Sequence, residues 1–233
     1  MIIKPYSVVG EEAFSATNYP SCKLFFTCDD TDNNLTDAVS GSSIATGVAI
    51  THGTANAVTV PSGVNFINKT LPASIAVGTK SALMFVVASG IGSFEQIAFG
   101  DVGVNKLVIS GSAFSVDDGP NAANTAGVSG TGLIGCGLGF VPGTSNEATK
   151  YEATTATWVT ASASGAPADI TNIGNITQLA TVAATTNTLN IYGMALFVFD
   201  SGLPGDIKAA IAWMTAEWQA GNKAIYPGWK GLA

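Results

Sequence analysis

Short runs rich in Val, Ile, Phe and Thr recur along the chain, and clusters of Gly, Asn, Asp or Ser separate most of them. The runs are Cys22–Cys28, Gly47–Thr51, Ala57–Val60, Ser81–Ala88, Phe94–Phe99, Lys106–Ile109, Ala113–Val116, Tyr151–Ser162, Gln178–Ala183 and Thr188–Phe199. Runs of this length, punctuated by turn-forming residues, predict the strands of a sandwich or barrel rather than alternating strands and helices. In the last run Tyr192, Met194, Leu196 and Val198 share one face, with Gly193, Ala195, Phe197 and Phe199 on the other. Side chains alternate across a strand, so apolar residues on both faces imply a strand covered on both sides. Residues 117–150 carry a weaker signal, and the expectation there is long loops with one or two embedded strands. One helix is clear at about 205–220. Ile207, Ala210, Ile211, Met214 and Trp218 form an apolar stripe, Asp206 supplies negative charge to its start, and Gly221-Asn222 supplies a stop.

This order divides the chain into an irregular arm at 1–21, a single sandwich domain at 22–223, and a tail at 224–233. Residues 1–21 mix Pro5, Gly10, Glu11, Glu12, Asn18 and Pro20 without sustained periodicity. The tail holds Tyr226 and Trp229, which either fold back over the helix or serve as an interface with a neighbouring subunit, since aromatic residues favour interfaces.

Composition narrows the function classes. Charged residues make up 11% of the 233 positions, against about 25% in an ordinary soluble domain. The nine cations are all Lys, the sequence has no Arg, and the net charge is −7. This is a poor footprint for nucleic acid. No apolar run reaches the ~18 residues of a membrane span. With 47% apolar residues the chain can build a core, which argues against disorder. The first residues lack the apolar stretch of a secretory signal, so synthesis in a host cytoplasm is expected. Three cysteines make no disulfide framework, and all three read as buried free thiols. The sequons at Asn34, Asn68 and Asn175 then read as chance matches.

Catalytic and cofactor motifs fail when their spacing is examined. Glu95, Glu147, Glu152 and Glu217 are isolated, so no carboxylate pair of the retaining-glycosidase kind is present. The single His52 has no ligand partner and no nucleophile elbow beside it. Gly130-Thr-Gly132-Leu-Ile-Gly135 matches a dinucleotide fingerprint literally, but no apolar strand precedes it and no helix can follow. A flexible or close-packed glycine loop is the expectation there. Asp30, Asp32 and Asn34 are spaced like the first ligands of a calcium loop, yet Leu35 and Gly41 stand where an EF-hand needs Gly and Glu. The bland reading is an Asx-rich turn ending a strand.

Several stretches resemble concanavalin A-like (laminin G-like) domains. They are Leu24-Phe-Phe-Thr-Cys-Asp-Asp30 with Leu35-Thr-Asp37-Ala-Val-Ser-Gly41, Trp158-Val-Thr-Ala161, and Gly193-Met-Ala-Leu-Phe-Val-Phe-Asp200-Ser-Gly-Leu-Pro-Gly-Asp206-Ile207. Asp206 stands where that family usually has Glu. The resemblance implies an all-β jelly-roll sandwich of two antiparallel sheets with one C-terminal helix. It also keeps calcium at Asp30, Asp32 and Asn34 open as a cofactor. The Gly/Thr/Ala-rich, Arg-poor style is similar to virion proteins of tailed bacteriophages. The leading expectation is therefore a non-enzymatic structural protein on the virion surface (capsid decoration, or a tail or baseplate component), homo-oligomeric and bound to other virion proteins. The alternative is a lectin-like module for a host-surface glycan, with Asp117, Asp118 and Trp158 as its candidate residues.

Overall fold

The computed structural model describes residues 14–27, 35–41, 43–44, 51–54, 56–60, 65–91, 95–100, 106–110, 113–117, 123–126, 130–142, 144–164, 172–181 and 189–233. The strands are β1 Cys22–Thr27, β2 Leu35–Thr36, β3 Ser43–Ile44, β4 Thr51–Thr54, β5 Ala57–Val60, β6 Asn65–Ala76, β7 Ser81–Ile91 and β8 Glu95–Gly100. They continue as β9 Lys106–Ser110, β10 Ala113–Asp117, β11 Ala123–Ala126, β12 Gly130–Val141, β13 Ser145–Glu152, β14 Thr157–Ser164, β15 Asn172–Thr181 and β16 Leu189–Phe199. Helix α1 spans Ile207–Gln219. No helix among the described residues is long and apolar enough to cross a membrane.

Two antiparallel sheets form the sandwich. The larger runs β14-β13-β12-β7-β16-β5-β4, with β1 also paired to β16, and the smaller runs β11-β10-β9-β8-β15-β6. β2 and β3 form a separate short hairpin. The central strand β16 is covered on both faces, as its two-sided apolar pattern requires. Met194, Leu196 and Val198 share one buried face with Leu24, Phe26, Met84, Val86, Cys136 and Leu138 of neighbouring strands, turned toward the smaller sheet. Ala195, Phe197 and Phe199 lie with Phe25, Leu83, Phe85 and Val87 beneath α1, against Ala210, Ile211, Met214 and Trp218. A register shift between Ile191 and Gly193 moves Tyr192 out of strict alternation and into the helix-side cluster.

Three elements depart from the expectation, each for a local reason. The glycine-rich stretch at 130–141 is no loop but β12, a strand in the middle of the larger sheet. Its Gly135 and Gly137 lie under the helix and Gly139 under Leu203 in the segment before it, where an added Cβ would overlap Thr215 Oγ1, reach 2.8 Å from Ile211 Cδ1, and reach 2.5 Å from Leu203 Cδ1 respectively. Gly193 of β16 does the same for Trp218, whose Cζ3 would lie 2.9 Å from the new atom. Glycine is chosen at these positions so that a helix can rest close on a sheet. Second, Tyr151–Ser162 is not one strand but most of the β13–β14 hairpin. Its turn, Ala153-Thr154-Thr155-Ala156, lacks Gly, Pro, Asn and Asp, and Ala156 adopts a positive φ of 52°. Third, β6, absent from the runs read in the sequence, carries Pro72. It lies at a sheet edge, and the ladder with β15 breaks register between Ile173 and Asn175, opposite the stretch holding Pro72.

The helix ends follow the sequence closely. Asp206 is the N-cap, and its carboxylate accepts the indole N–H of Trp229 at 2.9 Å instead of capping the helix with its side chain. Gly221, at φ 87°, turns the chain out of the helix, and Asn56 Nδ2 donates to the Gln219 carbonyl at 3.2 Å. The two ends of the described chain meet. Ser21 N–H donates to the Leu232 carbonyl at 3.0 Å, and Gly231 N–H donates to the Asn18 carbonyl at 2.9 Å.

Candidate functional site

Asp30, Asp32, Asn34 and Asp118 lie outside the described residues. Among the described residues no group of three His, Cys, Asp or Glu is placed to hold a metal ion. Asp117 ends β10 opposite Lys106 in the smaller sheet, whereas Trp158 belongs to β14 of the larger one. The Asp117–Trp158 grouping therefore spans two sheets. Trp229 is fully buried in its own chain, edge-on to Phe197 and Phe199 at centroid distances of 4.9 and 5.6 Å. Tyr226 packs half-buried against Trp229 and Trp213. For Trp229 the structure shows folding back, which removes it as an exposed anchor for a neighbouring subunit.

Asp37, from the acidic turn that carries the family resemblance, is structural in these surroundings. It is buried, and its carboxylate accepts N–H bonds from Phe25 (2.9 Å), Val39 (3.1 Å) and Ser40 (3.1 Å), and the Ser40 hydroxyl at 2.7 Å. It ties the turn after β2 to β1. The two described thiols, Cys22 and Cys136, are also buried, and burial pushes both well above the ordinary thiol range. The nearby Asp37 carboxylate raises Cys22 further, while Lys150 partly opposes the rise at Cys136. Neither sulfur is poised as a thiolate nucleophile.

A mixed aromatic and polar shelf lies beside the helix instead. Along β13, Glu147, Thr149 and Tyr151 alternate onto the face that carries the helix, opposite Ser162, Thr160 and Trp158 of β14. Tyr151 and Trp158 stack with centroids 4.6 Å apart and planes tilted by 34°. Both are half-buried, Thr160 and Glu147 are exposed, and Lys208 Nζ lies 5.9 Å from the Trp158 ring centroid. Next to the shelf lies only a shallow surface dimple with no enclosed volume large enough for a water molecule. Leu83, Gly137, Gly139, Glu147, Thr149, Leu203 and Ile207 line it.

The opposite face of the hairpin holds the turn in place. Lys150 Nζ pairs with Glu152 Oε1 at 2.9 Å, and the Thr155 and Thr157 hydroxyls donate to Glu152 Oε2 at 3.3 and 3.5 Å. Hydrogen bonding to Lys150, followed by its charge, holds the Glu152 carboxyl below the usual range. Together these groups present a flat aromatic face, hydroxyls and one carboxylate on a braced ribbon. Sequence reasoning found Trp158 but missed Tyr151. With both on a single strand, their odd spacing sends them to opposite faces. The unsignalled hairpin turn places them side by side.

No protein-family model matches the chain. No curated protein sequence matches it either. Solved structures do match in shape. Lectin I from Ulex europaeus, in complex with the methyl glycoside of α-L-fucose, covers 75% of this chain and 96% of its own at 8% identity, with a TM-score of 0.46. The binding domain of botulinum neurotoxin DC, in complex with rat synaptotagmin II, covers 87% of this chain at 10% identity and a TM-score of 0.45. An HCR/D mutant covers 87% at 14% identity and a TM-score of 0.52. The chain spans about half the length of these last two, 52% in each case. At such identities the likeness concerns fold alone: the chain is an all-β jelly-roll sandwich of two antiparallel sheets with one C-terminal helix.

Proposed function

We propose that the chain is a lectin-like, non-catalytic binding module that takes a carbohydrate on the shelf beside α1. The observation that carries this reading is the half-exposed Tyr151–Trp158 pair, with exposed Thr160 and Glu147 on the same face of the hairpin. Sugar rings offer apolar C–H faces and a rim of hydroxyls. An aromatic plane satisfies the first, and the exposed Glu147 carboxylate with the exposed Thr160 hydroxyl satisfies the second, which is the usual division in small-molecule sites. Lys208 over Trp158 is a weak competitor, since an exposed cation–π contact contributes only about 0.5–1 kcal/mol. The virion-subunit expectation rests on the Gly/Thr/Ala-rich, Arg-poor style, low charge and failed catalytic motifs of the sequence, whereas the aromatic pair belongs to the fold's surface, so glycan recognition is the stronger reading.

The test is a broad glycan array followed by calorimetry with any oligosaccharide retained. Trp158→Ala and Glu147→Gln should each weaken binding tenfold or more while far-ultraviolet circular dichroism stays unchanged. A folded protein that retains no glycan, or whose binding ignores both substitutions, overturns the proposal.

A further inference from the structure

Lys80 pairs with Asp200 at 2.7 Å, and Lys150 pairs with Glu152 at 2.9 Å. Lys208 has no such partner among the described residues. It is exposed on the first turn of α1, and its ammonium lies instead over the Trp158 ring, 5.9 Å from the centroid. None of the acidic side chains around the shelf pairs with it. The Asp206 carboxylate, two residues earlier, is turned to the Trp229 indole. Glu152 lies on the opposite face of the hairpin with Lys150. Glu147 stands four residues from Tyr151 along β13, about 13 Å at the usual strand rise. That exceeds the Debye length of about 8 Å at physiological salt. The shelf therefore has a cationic end at Trp158 and an anionic end at Glu147.

Resting on the glycan-binding reading of this shelf, we propose that it selects an acidic sugar. The ring of that sugar lies on Trp158, its carboxylate or sulfate pairs with Lys208, and the neighbouring residues of the glycan run toward Thr160 and Glu147. A sugar that stacks on the indole pushes the ammonium off the ring. A neutral sugar leaves that cation with water alone, whereas an anion carried by the same sugar meets it at the rim and replaces the lost contact. Lysine presents a point charge and not a planar fork, so carboxylate and sulfate suit it alike. The net charge of −7 opposes anions only diffusely, because salt screens it over the same distance.

The test is an array printed with matched neutral, uronate- or sialate-bearing, and sulfated forms of the same oligosaccharide backbones, read at low and high salt. Lys208→Gln, Lys208→Arg and Trp158→Ala are compared with the wild type, and melting curves check that each is folded. An exposed ion pair is worth up to about fivefold in affinity. The wild type should therefore retain acidic members about fivefold better than their neutral counterparts, and less so as salt rises. Lys208→Gln should bring that ratio to about one, Lys208→Arg should keep it, and Trp158→Ala should lose acidic and neutral members together. Carboxylated and sulfated members are scored separately, and a preference for either supports the proposal. Equal retention of neutral and acidic members, or a preference that survives Lys208→Gln or ignores salt, overturns the acidic class and leaves the shelf a neutral-sugar site. A folded chain that retains no glycan overturns both readings.

Discussion

Adding one methyl group at Gly135 tests whether the helix rests on a glycine stripe. The new Cβ would overlap Thr215 Oγ1, lie 3.2 Å from Ile211 Cγ2, and lie 3.3 Å from Thr215 Cβ. Ordinary carbon contacts are about 3.5–4.0 Å. Thr215 cannot swing aside freely. It is fully buried, its hydroxyl donates to the Ile211 carbonyl at 2.6 Å, and a β-branched side chain has few rotamers in a helix. The helix must lift or the strand must sag. Overpacking of this kind costs about 1–3 kcal/mol, and the backbone gain from replacing Gly in a strand offsets about 0.5–1 kcal/mol of it. Outright overlap places the cost at the upper end, so Gly135→Ala should lose about 2 kcal/mol, or about 4–8 °C in melting temperature for a domain of this size. Thr215→Ala removes the overlapping oxygen and leaves only the two contacts of 3.2 and 3.3 Å, each short by a few tenths of an ångström. Alone it should cost about 1 kcal/mol, chiefly the lost hydrogen bond and methyl group. The double variant should be no less stable than Thr215→Ala, giving a coupling energy of about 2 kcal/mol in urea titrations of all four proteins. If Gly135→Ala melts like the wild type, or if the two costs simply add, the helix does not rest on Gly135 as described.

Three further outcomes follow from the same packing. Asp37→Ala strands three backbone N–H groups next to a buried site and should cost about 3 kcal/mol by denaturant unfolding; a loss below about 1 kcal/mol would show that the turn holds without its carboxylate. Trp229→Ala empties a fully buried indole site and should cost about 3–5 kcal/mol and expose Phe197 and Phe199, read by melting and by ANS fluorescence. A wild-type melting curve would instead place the indole outside the core. Cys22 and Cys136 should resist iodoacetamide at pH 8 in the native protein and react fully in guanidinium, as peptide mass mapping reports. Their folded pKa values lie above the unfolded ones, so the thiolate is depleted throughout that pH range, and rapid native labelling at either site contradicts the burial.

Much of the fold was legible in local pattern. The period-two run ending at Phe199 revealed a strand covered on both faces, and the Ile207–Trp218 stripe revealed the helix that covers one of them. The rest was hidden where local signals mislead. β6 was not among the strand-like runs, and it holds a Pro72 that a sheet edge tolerates; Ala153–Ala156 made a turn without turn residues. The candidate site suffered most, because a missed turn changes which side chains share a face.

By itself the sequence determined where apolar residues alternate, which segment is helical, and that no familiar catalytic spacing is present. Those properties depend on neighbours along the chain, where steric and hydrophobic periodicity acts. Only the tertiary structure decided that β12 is a strand whose glycines receive α1, that Trp229 lies inside, and that Tyr151 stacks on Trp158. Each of these depends on contacts between segments distant in the chain. A glycine's use depends on what approaches it, and Thr215 and Trp218 approach only once the sheet and helix have come together.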